Sequence, residues 1–285
     1  MPCPRVRAML ALLCALAGAD AARAEVAAPA PLTLLEESYR AQIPTVAQYS
    51  RVHVHSHNPQ PGGGEKDWDA LVIRKRFEDG PRTAISLLTP DDMRGVGLLT
   101  APVADEDRLA LWLYSPEERR ARELTPLEAD DYFLGSKLNY GDLALTFRET
   151  QPPRLLGRGE EQGREVWKIE TRPLQDRFYS RIVTWVATDD RLPVKREYYD
   201  RGGKLWKVAD YREAAVEGIP TVVEVVLTDL QSRAVSTWTL QAIRYVRDGV
   251  EARQLSPGGL ARMPQDAAWQ TLTAWRAPAT PPAQE

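Results

Sequence analysis

All three histidines of this 285-residue chain fall at His53, His55 and His57, alternate positions that a β-strand projects from one face at roughly 6–7 Å spacing. Neighbouring imidazoles so placed can ligate zinc or copper, but a complete site needs a third ligand from elsewhere. Solvation on an outer face is the simpler reading, with pH sensing as an alternative because imidazole titrates near neutrality. No resident metal is expected. Enzyme chemistry finds little else to use. The chain has no Gly-x-Ser-x-Gly elbow and no His-Glu-x-x-His pair, and a serine triad would have to borrow one of the clustered histidines. The acid pairs Asp91-Asp92 and Asp130-Asp131 read as turn and helix-cap residues, and no spacing sets two carboxylates across a cleft as glycosidases require. Cys3 and Cys14 lie in an N-terminal apolar segment, so the chain beyond it has no thiol for a disulfide, a zinc thiolate or a nucleophile. The expectation is a protein without covalent catalysis and without a cofactor.

Binding by apolar area suits the sequence better. An acyl chain gains on the order of 0.8 kcal/mol per buried methylene, so a site for it needs apolar walls more than directed groups. The candidate lipid-contacting residues are Val52, Val54, Leu71, Ile73, Leu98, Trp112 and Tyr114 on strands, with Phe133 and Tyr140 on helices. Both faces of the strand carrying Trp112 are apolar, since Leu111 and Leu113 alternate with Trp112 and Tyr114, which leaves open the face that lines a cavity. Arg119, Arg120 and Arg122 are candidates for docking a lipid head group or a protein partner. Glu117, Glu118 and Glu123 beside them offset much of that attraction within a Debye length of about 8 Å.

These residues must be positioned by strands. From Tyr49 onward short runs of β-branched and aromatic residues alternate with polar ones and are broken by Gly, Pro and Asp. Val52 and Val54 alternate with His53 and His55, and Leu71 and Ile73 with Val72 and Arg74. Ile182 to Val186, Trp206 to Val208, Thr221 to Leu227 and Val235 to Tyr245 continue the pattern. Arg201-Gly202-Gly203-Lys204 reads as a hairpin turn, and Gly62-Gly63-Gly64 as a hairpin connection; no Lys-Ser/Thr follows to make it a phosphate loop. Helices are expected over Leu32 to Gln42, over Pro126 to Phe133 behind a threonine cap, and over Lys137 to Leu145. Few helices and many strands predict a mainly β fold: a strongly curved, half-open antiparallel β-barrel with helices plugging its open side. An apolar concavity between sheet and helices would then be the binding place.

The N-terminus reads as a secretory signal over residues 1–24, with Arg5 and Arg7 ahead of an apolar run and Ala22-Arg23-Ala24 as the cleavage site. Residues 25–45 form a leader and N-terminal helix, 46–276 a single β-barrel domain, and 277–285 a Pro/Ala-rich tail. Net charge is −3 for the whole chain and −5 once residues 1–24, with three arginines and one aspartate, are removed. That balance excludes nucleic-acid binding, which needs a basic footprint.

The order of short motifs carries a resemblance. Trp112-Leu113-Tyr114-x-Pro116 is followed by Arg119, Arg120 and Arg122, then by Phe133-x-Gly135-Ser136 and Tyr140-x-Asp142-Leu143. Upstream stands Leu88-x-Pro90-x-Asp92-x-x-Gly95, and downstream Leu192-Pro193 and Tyr198-Tyr199-Asp200 with Gly203. Together they resemble the outer membrane lipoprotein-sorting family, which shares the fold of the periplasmic lipoprotein carrier, over about Tyr49 to Gly259. Gly141 departs from the pattern, which has a glutamate there. The resemblance implies a monomeric periplasmic carrier or chaperone that holds a lipid or lipidated protein in the hollow of the barrel for transfer to the outer membrane. It also implies an inner-membrane transporter of the resistance-nodulation-division class as donor. The alternative function is a periplasmic lipid-sensing or scaffolding module bound to a regulatory or transporter partner.

Overall fold

The computed structural model describes residues 29–263 apart from 104, 105, 107, 134, 135, 145–150 and 175–177. The expected signal segment, the Pro/Ala tail, Gly135 and Leu145 lie outside the described residues.

Thirteen antiparallel strands form one sheet. The first meander comprises β1 (Ala47–Asn58), β2 (Gly64–Phe77), β3 (Gly80–Leu87), β4 (Gly97–Pro102), β5 (Leu109–Ser115) and β6 (Arg120–Glu123). The second comprises β7 (Arg154–Glu161), β8 (Arg164–Thr171), β9 (Arg181–Ala187), β10 (Pro193–Tyr199), β11 (Leu205–Val216), β12 (Ile219–Asp229) and β13 (Val235–Val246). The two halves are joined because β1 pairs with β13. The sheet curls strongly but does not close, which leaves β6 and β7 as its edges. This is the half-open barrel expected from the alternation.

That topology dictates where the helices go. The chain leaves the sheet at one edge and re-enters at the other, so the connection between β6 and β7 must cross the opening. It carries α2 (Pro126–Ala129) and α3 (Tyr140–Ala144). Thr125 caps α2 by accepting from the Glu128 N–H at 3.3 Å, while the Glu128 carboxylate accepts from the Thr125 N–H at 2.8 Å, a reciprocal capping box. The helix expected to reach Phe133 stops at Ala129. Beyond it the backbone folds into a loop in which the Phe133 N–H donates to the Leu138 carbonyl at 2.8 Å and the Tyr140 N–H to the Asp131 carbonyl at 3.1 Å. The helix expected from Lys137 begins at Tyr140, because Asn139 caps it: its side-chain oxygen accepts from the Asp142 N–H at 2.7 Å. The leading helix α1 (Pro31–Gln42) lays Leu34 and Leu35 against Trp167, Ile169 and Val186 of the second half.

Two apolar layers lie on opposite faces of the first half. On the concave face Val52, Val54, Trp68, Val72, Ile85, Leu87, Leu98 and Leu111 meet Leu124, Ala129 and Phe133 of the crossing segment. On the convex face Tyr49, Leu71, Ile73 and Leu99 are covered by Val250, Leu255, Leu260 and Met263, a strap that includes α4 (Pro257–Leu260). Gly97 lets the strap approach: a Cβ there would stand 2.9 Å from Leu260 Cγ. The turn at Arg201–Lys204 forms as expected, with the Asp200 N–H donating to the Lys204 carbonyl at 2.9 Å and Gly203 at φ +78°.

The strap keeps the convex face dry. Leu255 is 1% exposed, so Leu255→Ala should cost about 2–5 kcal/mol by lost burial plus the cavity left behind. Urea unfolding followed by tryptophan fluorescence checks this.

Candidate functional site

The register of the strands sorts side chains on the concave face into rungs that run across the sheet. One rung is polar: Tyr245 opposite Gln48, Gln48 opposite Arg74, Arg74 opposite Thr83 and Thr83 opposite Thr100. The next is Ser50, Val72, Ile85, Leu98 and Leu113. Then follow Leu240, Val52, Ala70 and Leu87, and finally Trp238, Val54 and Trp68. Polarity therefore changes along the strands from one end of the concave face to the other.

Between these rungs and the helices lies a hollow of about 110 Å3, room for roughly nine water-sized groups at about 10–15 Å3 each. Val52, Val72, Ile85, Val225, Trp238 and Leu240 form its apolar wall. Its polar wall is Gln48, Arg74, Thr83, Thr100 and Thr221, with Arg196, Tyr198 and Tyr211 from the second half. Ala41, Gln42 and Ile43 close it at the end of α1, and Leu138 and Asp142 at the plug.

Among the nine candidate lipid-contacting residues, Val52 alone lines this hollow. Val54 and Leu98 are on the concave face beneath the crossing segment, and Phe133 and Tyr140 belong to that segment and pack onto them. There the Phe133 ring packs edge-on to Trp68 at 5.2 Å and to Tyr140 at 5.3 Å. Leu71, Ile73, Trp112 and Tyr114 are on the opposite face, with the strap. Leu111 and Leu113 are thus the inward residues of β5. Parity went astray on β2 because Leu71, Val72 and Ile73 are all buried, so burial alternates with nothing. The missed wall residues, Gln48, Val72, Arg74 and Ile85, had a signal that could have found them. Histidines and acids face each other across the β1–β2 hairpin, His53 to Asp69, His55 to Asp67 and His57 to Glu65. Pairing these charges by eye fixes the register and puts Leu71 on the outer face.

Each histidine is hydrogen-bonded to its facing carboxylate, His53 at 3.2 Å and His55 at 2.9 Å, with His57 likewise on Glu65. The Asp67 hydrogen bond raises the His55 pKa. Arg122 pairs with Glu128 at 2.7 Å, while Arg119 and Arg120 are exposed at the β5–β6 turn and on edge strand β6.

The plug is fastened across the opening by buried polar groups. Lys207 on β11, with 0% exposure, donates to the Lys137 carbonyl at 2.8 Å and to the Tyr179 hydroxyl at 3.0 Å. Tyr179 in turn donates to Asp142 of α3 at 2.9 Å. The rings of Tyr132, Phe178, Tyr179 and Trp206 surround the ammonium at 4.5–5.2 Å, close enough for cation–π attraction. Burial lowers the Lys207 pKa to about 8 against the pull of Asp142; burial also raises the Asp142 and Tyr179 pKa values. Gly141 stands beside this latch, and a Cβ added there would meet the Ala129 carbonyl oxygen at 3.4 Å, the Asn139 side chain at 3.6 Å and the Ala129 Cβ at 4.0 Å.

Comparison with known proteins places this geometry. The profile of a family described as an uncharacterized protein matches residues 80–254. Among solved structures, a domain assigned to the outer membrane lipoprotein-sorting proteins from Vibrio parahaemolyticus superposes with a TM-score of 0.69 at 20% identity, covering 81% of this chain and 98% of its own. A DUF1329 family protein from Desulfovibrio piger gives 0.67 at 22% identity, over 82% of this chain and 100% of its own. A LolA superfamily protein from Nitrosomonas europaea gives 0.62 at 20% identity, over 80% and 98%. No curated protein matches the chain. The fold shared with these structures is the one the motif order implied.

The latch has measurable consequences. Lys207→Met removes one of the two cations beside the buried Asp142 carboxylate, leaving Arg196, and should destabilise the protein by about 3–5 kcal/mol, and adding Asp142→Asn should recover part of the loss. Lys207 binds its proton less tightly folded, at about 8 against 10.5 in the ordinary lysine, so between those values the unfolded state holds more protons. The stability of the wild type relative to Lys207→Met should rise as pH increases through that window. Denaturant titrations of both proteins at several pH values check it.

Proposed function

This chain belongs to the family matched over residues 80–254, and on that premise we propose that it is a periplasmic carrier that sequesters the acyl chains of a lipid or lipidated protein. The observation that carries the reading is the wall of Val52, Val72, Ile85, Val225 and Leu240, apolar side chains that face a hollow where a closed core would have filled it. Six methylenes placed there would gain on the order of 5 kcal/mol. Binding needs no covalent step, and the wall offers no nucleophile paired with a histidine, because the three histidines are on the outer face.

A whole lipid needs more room than about 110 Å3, so uptake requires the plug or α1 to move outward. The plug is the element suited to do so: α2 and α3 are short, and its polar hold on the far half is made by Asp142 with Tyr179, by Lys207 on the Lys137 carbonyl, and by Lys137 with Ser236 and Asp229. The donor implied by the family resemblance is an inner-membrane transporter of the resistance-nodulation-division class, and the destination is the outer membrane. Among the described residues no helix is long and apolar enough to cross a membrane, which is compatible with a carrier that moves between two.

Uptake of cis-parinaric acid, which fluoresces on burial, tests the reading. The wild type should bind it, and Val72→Trp should weaken binding roughly tenfold or more by filling the hollow, equivalent to about two lost methylenes. Leu71→Ala, on the opposite face, should lower stability by about 2–5 kcal/mol without weakening uptake. Equal binding by wild type and Val72→Trp would place the ligand elsewhere.

A further inference from the structure

The hollow is amphipathic, and its polar end carries an uncompensated cation. Arg74 lines the cavity at the centre of the polar rung. Its electrostatic neighbours are the hydroxyls of Tyr245 and Tyr39, and among the described residues it has no carboxylate partner. Arg196, on the other side of the same cavity, differs in having Asp142 near it. A guanidinium held against an apolar wall without an anion is costly, since burial disfavours its charge. An anion arriving from outside would remove that cost.

A second polar group on the rung is also open. Gln48 is 3% exposed and donates to the Tyr245 hydroxyl at 3.1 Å. Tyr245 lies 2.6 Å from the Thr221 hydroxyl, and Thr221 donates to the Ile219 carbonyl at 2.8 Å. The chain of donors is complete in that direction, and it leaves Gln48 Oε1 buried with no partner. Thr83 and Thr100 continue the rung with two more hydroxyls. Buried polar atoms in native proteins are nearly always paired; the Arg74 guanidinium and the Thr83 and Thr100 hydroxyls can all donate to an anion, whereas Gln48 Oε1 accepts and would be met only by a hydroxyl or N–H of the same head group.

We infer that the hollow selects anionic amphiphiles, with the acidic head group held at Arg74, Thr83 and Thr100 and the acyl chain lying along Val72, Ile85, Val52 and Leu240. This rests on the carrier reading and narrows it to a ligand class. Neutral lipids would leave Arg74 unpaired, and zwitterionic ones would bring a second positive charge beside it. The rungs give the ligand its direction, head at the Tyr245–Thr100 end and tail toward Trp68 and Trp238.

The test compares cis-parinaric acid with its methyl ester, which has the same chain without the charge. The wild type should bind the acid about ten- to a hundredfold more tightly, the range expected for a charge-assisted hydrogen bond. Arg74→Met should abolish that preference while keeping ester binding, and Arg74→Lys should retain it; circular dichroism confirms that each variant is folded. Equal binding of acid and ester by the wild type, or an unchanged preference in Arg74→Met, would overturn the inference and leave the carrier reading standing. Binding of neither probe would overturn both. Displacement of the acid by millimolar inorganic phosphate would show a small-anion site and would also overturn the assignment of an amphiphile.

Discussion

A sheet that curls without pairing its two edges leaves its inner face to be filled by something other than strands. Here β1 joins β13, so the edges are β6 and β7, consecutive in sequence but on opposite sides of the opening. The chain between them has to span that opening. The plug is thus a consequence of strand order, and α2 and α3 lie on the concave face because the connection has no other short path. Everything functional follows from how completely that connection, with α1, fills the space. Phe133 fills the floor beside Trp68 and Trp238, and the hollow is what remains above it.

The same constraint explains why the buried polar groups cluster where they do. Lys207, Tyr179 and Asp142 join the crossing segment to the far half, and a buried network of this sort is weak as a source of net stability but strong as a specifier of position. Apolar packing alone would let a short plug slide over a smooth wall. An ammonium that donates to both the Lys137 carbonyl and the Tyr179 hydroxyl fixes one register, and the outward movement proposed for the plug would have to break those bonds. The outer histidine–carboxylate ladder has a different role. It is exposed, so it contributes little energy, and its effect is to pair β1 with β2 in one register and hold Val52, Val72 and Arg74 inward.

Much of this was legible in the sequence, and the reasons differ by element. Period-two alternation, Gly turns and the scarcity of helical spacing are local signals, and the strands and the half-open barrel follow from them. The threonine cap at Thr125 located α2 for the same reason. Face assignment was legible on β1, where polar histidines alternate with valines. It was not on β2 and β5, since the strap over residues 250–263 buries the outer face too and erases the contrast between inside and outside. Phe133 was placed in the helix that begins at Pro126 but lies beyond its end at Ala129, in a separate 3-10 turn, where it packs on Trp68 and Trp238. Arg74 escaped notice because an arginine in an alternating strand ordinarily marks the solvent face. Its inward direction depends on the register set by residues on another strand.

The claim on which the account turns is that the hollow exists to hold an acyl chain. Native mass spectrometry of the protein purified without detergent, followed by extraction and identification of whatever is bound, tests it most directly. The account predicts an acylated ligand, released on unfolding and reduced in a variant whose hollow is filled. A protein that is empty as isolated and also fails to take up an acyl probe would contradict it, and the apolar wall would then belong to an incompletely packed core.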